Sequence, residues 1–398
     1  METYQHARTQ ILETIETSKQ EMFELLKSMV NQDSFSKDKD DVNRLGALLI
    51  DWLKQHHYHV EIIPQQQYGS QIIATLKGHL PGKIVIMGHM DTVFPHGTAS
   101  ERPFSFDEKR FYGPGVADMK SGIVIALYAS WITNLFNKEN MCDIELLLTS
   151  DEELASPCSH SLIQSRVKDA LAVFNVEPAR ADGSVVTARR GSAQVAISVN
   201  GKPAHAGLAI EDGISAISEI CQKFIDIEKM TDKQVDITVN LGTIDGGTAT
   251  NTVAPQASGT LHFGFWTNEI YHDMFSKAQE IVNHSYVAGT RAELMLLSKC
   301  YPMVKTPGTA LLYEMVLNNA RDLGIALTEQ ATRSAADSGI PSTMGTPTIC
   351  GMGPIGGHLH SDEEYIEAPS FYERTKLLAL SLLSASDYFT KHQVEGSK

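Results

Sequence analysis

The sequence predicts an α/β protein: a mostly parallel sheet covered by helices on both faces, interrupted by a smaller α+β sandwich open on one side. Three observations carry this reading. Short apolar runs of buried-strand length recur at Lys83 to Gly88 (KIVIMG), Asp143 to Thr149 (DIELLLT), Ala172 to Val176 and Thr348 to Cys350. Helical patterns separate them: Asp40 to His56 has apolar residues three and four apart, Ser121 to Leu135 is almost wholly apolar, and Phe371 to Phe389 is a further helix. Strands alternating with helices give a parallel sheet whose ligands sit beyond the carboxyl ends of its strands. The character then changes near Arg189. Gln194 to Asn200 (QVAISVN), Val235 to Thr243 and Ala257 to Trp266 alternate like half-exposed strands, around a helical stretch from Gly213 to Lys229. These changes place a discontinuous α/β domain at residues 1–189 and 301–398, with an inserted domain at 190–300.

Composition narrows the function. With 48 Asp and Glu against 33 Lys and Arg, the formal charge of the 398-residue chain is −15. A chain this acidic, with no basic block, offers little to nucleic acid or to an anionic membrane. Met1 to Val30 mixes charged and apolar residues at helical spacing and lacks the apolar core of a secretory signal. The longest apolar stretch, Gly122 to Phe136, is interrupted by Ser130, Thr133 and Asn134, short of the ~20 residues that span a bilayer. The five cysteines are odd in number and scattered without CxxC spacing, which points to reduced thiols and a cytoplasmic protein. Asn283-His284-Ser285 matches a glycosylation acceptor triplet, with no export signal beside it.

Five strand or loop ends deliver metal-ligand residues to one edge of the predicted sheet. They are Gly88-His89-Met90-Asp91-Thr92, the loop Gly113 to Gly122 with Asp118, Thr149-Ser150-Asp151-Glu152-Glu153, Asn175-Val176-Glu177-Pro178, and Gly356 to Asp362 with His358 and His360. Each has a plainer reading alone: His-x-Asp as a capped turn, Asp118 as a helix cap, the acids as a favourable helix start. Independent caps have no reason to choose such residues at every strand end. Two divalent ions sharing a bridging carboxylate would need His and Asp/Glu ligands without Cys, and one carboxylate left off the metals to take a proton from water. Gly351 to Gly356 also spells GxGxxG, but Pro354 and the following histidines replace the helix that a dinucleotide site requires.

In order along the chain, GHMDTV, GPGVADMKSG, SDEE, NVEP, GKPAHAG, GGTATN and HLHSDEEY resemble the co-catalytic zinc exopeptidase family of glutamate carboxypeptidases, aminoacylases, acetylornithine deacetylases, succinyl-diaminopimelate desuccinylases and bacterial tripeptidases. The segments run from about residue 85 to 365, and the flavour is nearest glutamate carboxypeptidase. The resemblance implies a zinc-exopeptidase-like catalytic domain, with the insert acting as a lid and dimerisation domain. It implies two divalent ions per subunit, zinc first with cobalt or manganese as alternatives. His89 and Glu177 would bind one ion, Glu153 and His360 the other, and Asp118 would bridge them. His360 is preferred to His358 because the family's ligand precedes Ser-Asp and a further acid.

By the same resemblance Asp91 orients His89, and Glu152 is the general base that later serves the leaving amine. His205 would stabilise the oxyanion in the partner subunit's site, and Asn251 would hydrogen-bond substrate or oxyanion. The implied reaction is hydrolysis of an amide beside a free carboxylate, in a small peptide or N-acyl amino acid. The alternatives are a non-peptide acylated metabolite and a non-catalytic binding protein. The family's lid arginine, in an Asp-x-Arg pattern, is absent. The segment reads Leu261 to Trp266 with Phe265 near that place, which predicts a less acidic or bulkier substrate, with Lys305, Arg291 or Arg333 left to compensate.

Overall fold

The computed structural model describes residues 2–396, with the side chains of residues 4–391. The chain forms two compact units, one of Met1–Ala188, Lys305–Ala331 and Ile340–Lys398, the other of Arg189–Val304 and Thr332–Gly339. Ten strands build the main sheets: β1 (His59–Ile63), β2 (Gln71–Leu76), β3 (Lys83–His89), β4 (Asp143–Thr149), β5 (Ala172–Asn175), β6 (Gly191–Asn200), β7 (Thr238–Gly246), β8 (Gln256–Phe265), β9 (Arg291–Cys300) and β10 (Thr348–Ile349).

The first unit holds a six-stranded sheet in the order β1-β2-β4-β3-β5-β10. The pairings β3 with β4, β3 with β5 and β5 with β10 are parallel, while the β1–β2 hairpin adds antiparallel strands at one edge. Consecutive residues Ile84 to Met87 and Leu146 to Leu148 are all buried, because both faces of these strands are covered. This explains why they read as unbroken apolar runs rather than alternating ones.

The helix Ser121–Asn137 is buried on almost every side, which accounts for its lack of a polar stripe. It packs against the helices Glu2–Thr17 and Ala368–Gly396 and against β3. Gly122 lets its first turn approach the backbone that follows β5, since a Cβ there would lie 2.0 Å from the Val176 carbonyl oxygen. A side chain forced into that contact would cost about 1–3 kcal/mol. The helix Lys39–Gln55 starts where the Asp38 carboxylate accepts the N–H groups of Asp40 and Asp41. The sheet register puts His89 beside Thr149 and Met87 beside Asn175, so residues just beyond β3, β4 and β5 emerge together at the carboxyl edge.

The second unit is an antiparallel sheet in the order β7-β8-β6-β9, with the helices Ala216–Glu228 and Asn268–Asn283 on one face. Ala193, Val195, Ile197 and Val199 of β6 and Leu261, Phe263 and Phe265 of β8 form its core with those helices. The intervening residues of β6 are more exposed, which is the period-two signal seen in the sequence. Ser215 and Thr267 cap the two helices by accepting the N–H groups of Ser218 and Ile270.

Candidate metal centre

The carboxyl edge of the first unit's sheet gathers a cluster of acids and imidazoles. His89 ends β3 and is 2% exposed. Its Nε2 lies 3.1 Å from Asp118 Oδ1 and 3.6 Å from Glu177 Oε1, while Nδ1 is 2.9 Å from the Asp91 carbonyl oxygen. The other oxygen of Asp118, Oδ2, is 3.4 Å from His360 Nε2, which in turn lies 3.3 Å from Glu153 Oε1. Asp118 therefore presents one oxygen to each histidine, with Glu177 beside the first and Glu153 beside the second. Donor atoms of His89, Glu152 and Glu177 lie within 4.8 Å of one another, as do those of His89, Asp118 and Glu153.

Sequence neighbours explain how each group is held. Gly113 and Gly115 take positive φ (143° and 71°) to bend the loop ahead of Asp118, and a Cβ at Gly115 would lie 2.6 Å from Thr92 Cγ2. The Glu177 N–H donates to Asn175 Oδ1 and its carbonyl accepts the Gly353 N–H. Gly353 comes from the GxGxxG-like run. A Cβ there would meet the Glu177 carbonyl oxygen at 2.7 Å, so this glycine serves close backbone approach.

Asp91 is fully buried, and its carboxylate does something the sequence did not disclose. Oδ1 accepts the Glu152 N–H and Oδ2 the Glu153 N–H, both at 3.2 Å, while the Ser36 hydroxyl donates to Oδ2 at 2.7 Å. The carboxylate stands 3.5 Å from His89 Nδ1, and the nearer acceptor for that nitrogen is the Asp91 backbone carbonyl. Two further residues were given no role of their own by the sequence. Lys120 is buried and donates to the carbonyls of Gln32 and Pro114, and burial pushes its ammonium down to about 8. Glu364 collects backbone N–H groups of the Asp118 loop. Lys120 showed only as a charge inside a tight glycine loop, and Glu364 only as one more acid in the run after His360.

His358 stands apart from the cluster. It is exposed and its Nδ1 is 2.9 Å from Glu363 Oε2. His205 and Asn251 belong to the second unit, where both are exposed and adjacent. The Ala206 N–H donates to the Asn251 carbonyl, and His205 bridges to Thr252. The Gly207 N–H donates to His205 Nδ1, which assigns the ring proton to Nε2.

Phe265 requires a correction. It is fully buried among the core side chains of the second unit, with its ring 5.1 Å from Tyr271, so it does not offer an aromatic surface to substrate. One residue earlier, Gly264 lies on the other face, and the guanidinium of Arg190 occupies the space a side chain would take: a Cβ at 264 would be 1.8 Å from Arg190 Nη2. Arg190 Nη2 donates to Thr238 Oγ1 at 2.6 Å, and its Nη1 is 3.6 Å from Asp236. Arg333, one of the residues left to compensate, is bonded to the same Asp236.

Electrostatics bear on what the cluster can hold. Burial lowers the His89 imidazole, but Asp118, Asp91 and Glu177 outweigh it and hold the group well above the ordinary histidine range. Asp118 and Glu153 raise His360 to about 10. Burial and the nearby Asp118 charge raise the Glu153 carboxyl. Protons thus stand where cations would be favoured. Glu153 Oε1 is buried, and its near partner is His360 Nε2 at 3.3 Å, so a cation between the two would replace the proton they share. Two imidazoles with carboxylates and no thiolate suit zinc, cobalt or manganese.

A fold and site of this kind define a class, and the sequence comparison agrees: residues 85–384 match the model of peptidase family M20/M25/M40. The chain belongs to that family and is a metal-dependent hydrolase of the carboxypeptidase and aminoacylase type. It is 25% identical over 359 residues to carboxypeptidase G2 of Pseudomonas sp. (strain RS-16), covering 89% of this chain and 86% of that relative. Acetylornithine deacetylase of Vibrio parahaemolyticus is 28% identical over 251 residues, covering 58% of this chain and 64% of that one. Among solved structures, aminopeptidase PepT of Bacillus cereus superposes with a TM-score of 0.77 at 22% identity, covering 92% and 98% of the respective chains.

Proposed function

We propose that the chain hydrolyses an amide bond next to a free carboxylate, in a C-terminal peptide bond or an N-acyl amino acid, using two divalent ions with zinc the first choice. The observation that carries this reading is Asp118, whose two oxygens face His89 and His360, with Glu177 and Glu153 beside them. His89 and Glu177 would hold one ion, Glu153 and His360 the other, and Asp118 both. When bound, such ions supply Lewis acidity for a carbonyl and for an attacking water.

The chain's own groups do the rest. Glu152, placed by the Asp91 carboxylate, takes the proton of the attacking water and delivers it to the leaving amine. Asp91 fixes Glu152 and Glu153 through their backbones and receives His89 Nδ1 at its carbonyl. His205 Nε2–H donates to the developing oxyanion, with Asn251 beside it for substrate. Arg190 is the candidate partner of the substrate carboxylate: two guanidiniums, Arg190 and Arg333, share the single Asp236, which leaves positive charge over.

The protein would act as a homodimer through the second unit. There the edge strand β9 exposes Met295, Leu296 and Leu297. In that arrangement His205 would serve the partner's site. A cytoplasmic location fits the five free cysteines, and among the described residues no helix is long and apolar enough to cross a membrane.

Release of amino acid from a panel of N-acyl amino acids and dipeptides tests the reading, with metal-stripped, zinc-restored and Glu152→Gln proteins compared. Zinc-dependent release that disappears in the variant supports it. No release from any substrate by the zinc-loaded protein would sink it.

A further inference from the structure

Glu364 lies four residues after His360 and is fully buried, yet it has no place in the reaction described above. Its carboxylate accepts three backbone N–H groups from one loop: Gly115 on Oε2 at 3.0 Å, and Ala117 and Asp118 on Oε1 at 2.8 and 2.9 Å. The local fold explains the meeting. Tyr365–Glu367 pairs antiparallel with Arg110–Tyr112, with Tyr365 opposite Tyr112, so Glu364 and the start of the glycine loop leave paired strands at the same end. Gly113 and Gly115 then turn the loop so that its amides face one point.

The third of those amides belongs to Asp118 itself. Its side chain must reach His89 with one oxygen and His360 with the other, at 3.1 and 3.4 Å. The two loops carry one ligand each, and the Glu364 carboxylate ties its own segment to the backbone of the other. A buried carboxylate with three donors holds firmly, because every one of those amides would otherwise be left unpaired.

We propose that Glu364 is a positioning residue for the metal centre: its carboxylate clasps the backbone of the Asp118 loop and sets Asp118 against His360, carried on Glu364's own segment. This rests on the two-ion reading, and it adds that the spacing of the ligands is kept by a side chain that touches neither ion. Gln at 364 keeps the size and one acceptor but turns an amide donor toward the Gly115 N–H. Asp keeps the charge and withdraws it by one methylene.

The test is a cobalt titration of the metal-stripped parent, Glu364→Gln and Glu364→Asp proteins, read by visible absorption and by competition with a chelator. Circular dichroism and thermal melting of the metal-free proteins run alongside. The expected result is folded metal-free variants whose cobalt dissociation constants rise about 10–100-fold for Gln, less for Asp, with changed absorption bands. Folded Glu364→Gln with both affinities within about twofold of the parent and an unchanged spectrum overturns the proposal. Metal-free Gln and Asp variants that are both unfolded also overturn it, by assigning Glu364 to the fold. A parent that takes up no cobalt overturns the two-ion reading itself, so the two failures are told apart.

Discussion

His89 and His360 face the two oxygens of one carboxylate from opposite kinds of support. His89 is 2% exposed, closes a strand paired on both sides, and has its second nitrogen held by the Asp91 carbonyl. The His360 side chain is 49% exposed and sits at φ 61° in a turn between short strands. One half of the centre is therefore fixed by the sheet, and the other depends on loop contacts. On the two-ion reading proposed above, one ion would meet a preformed set of ligands and the other an adjustable one.

The largest expected effect tests whether both halves are ligands while Glu152 is not. Glu152→Gln should lower kcat about a thousandfold while metal content, read by elemental analysis, stays at the parent value. A variant that lost metal in proportion to activity would make Glu152 a ligand instead. Next, alanine at the two histidines should separate the halves in stability. In metal-free protein, His89→Ala takes the facing counter-charge from the buried Glu177 and one of two from the partly buried Asp118, and should cost about 3–5 kcal/mol in denaturant unfolding. His360→Ala, half in water, should cost no more than about 1 kcal/mol. Equal losses would erase the contrast.

Proton competition sharpens it further. Both imidazoles are raised, so through the neutral range each holds a proton that an incoming ion must displace. Apparent affinity for the pair should improve with rising pH, by about a hundredfold per unit when two protons leave, and climb less steeply once His360 has lost its proton near about 10. A pH-independent affinity in calorimetric titration would show that the histidines are neutral before metal arrives. The smallest effect lies in the second unit. Arg190→Met should raise KM about tenfold for a substrate with a free carboxylate and leave the matching carboxamide unchanged. Equal changes in both would remove Arg190 from recognition.

Much of this was legible in the sequence. Apolar runs with both faces covered announce themselves, and a ligand residue placed just past such a run needs no long-range knowledge to be put at the sheet's edge. The sheet type, the antiparallel unit and the family all follow from those runs and from the order of the motifs. What escaped was set by distant pairings. Ser36 reaches Asp91 across 55 residues, and Glu364 reaches Gly115 across 249. Neither contact leaves a periodic trace. The substrate inference drawn from Phe265 failed because that side chain is buried in the core of the second unit. Phe265 and Gly264 point to opposite faces of β8, so taking the phenylalanine as the arginine's replacement put a core side chain on the open face and overlooked Arg190 above the glycine.

Asp91 gives one oxygen to the amide of Glu152 and the other to the amide of Glu153. The group assigned to move protons and the group assigned to hold metal are thus hung from a single carboxylate and swing together if it tilts. Substitutions at 91, 152 and 153 should therefore combine non-additively, with the second change costing far less than it does alone. For anyone retuning the enzyme toward another metal or another pH, these three positions form one dial, and Ser36, which steadies Asp91 from a remote stretch of chain, is the place to turn it gently.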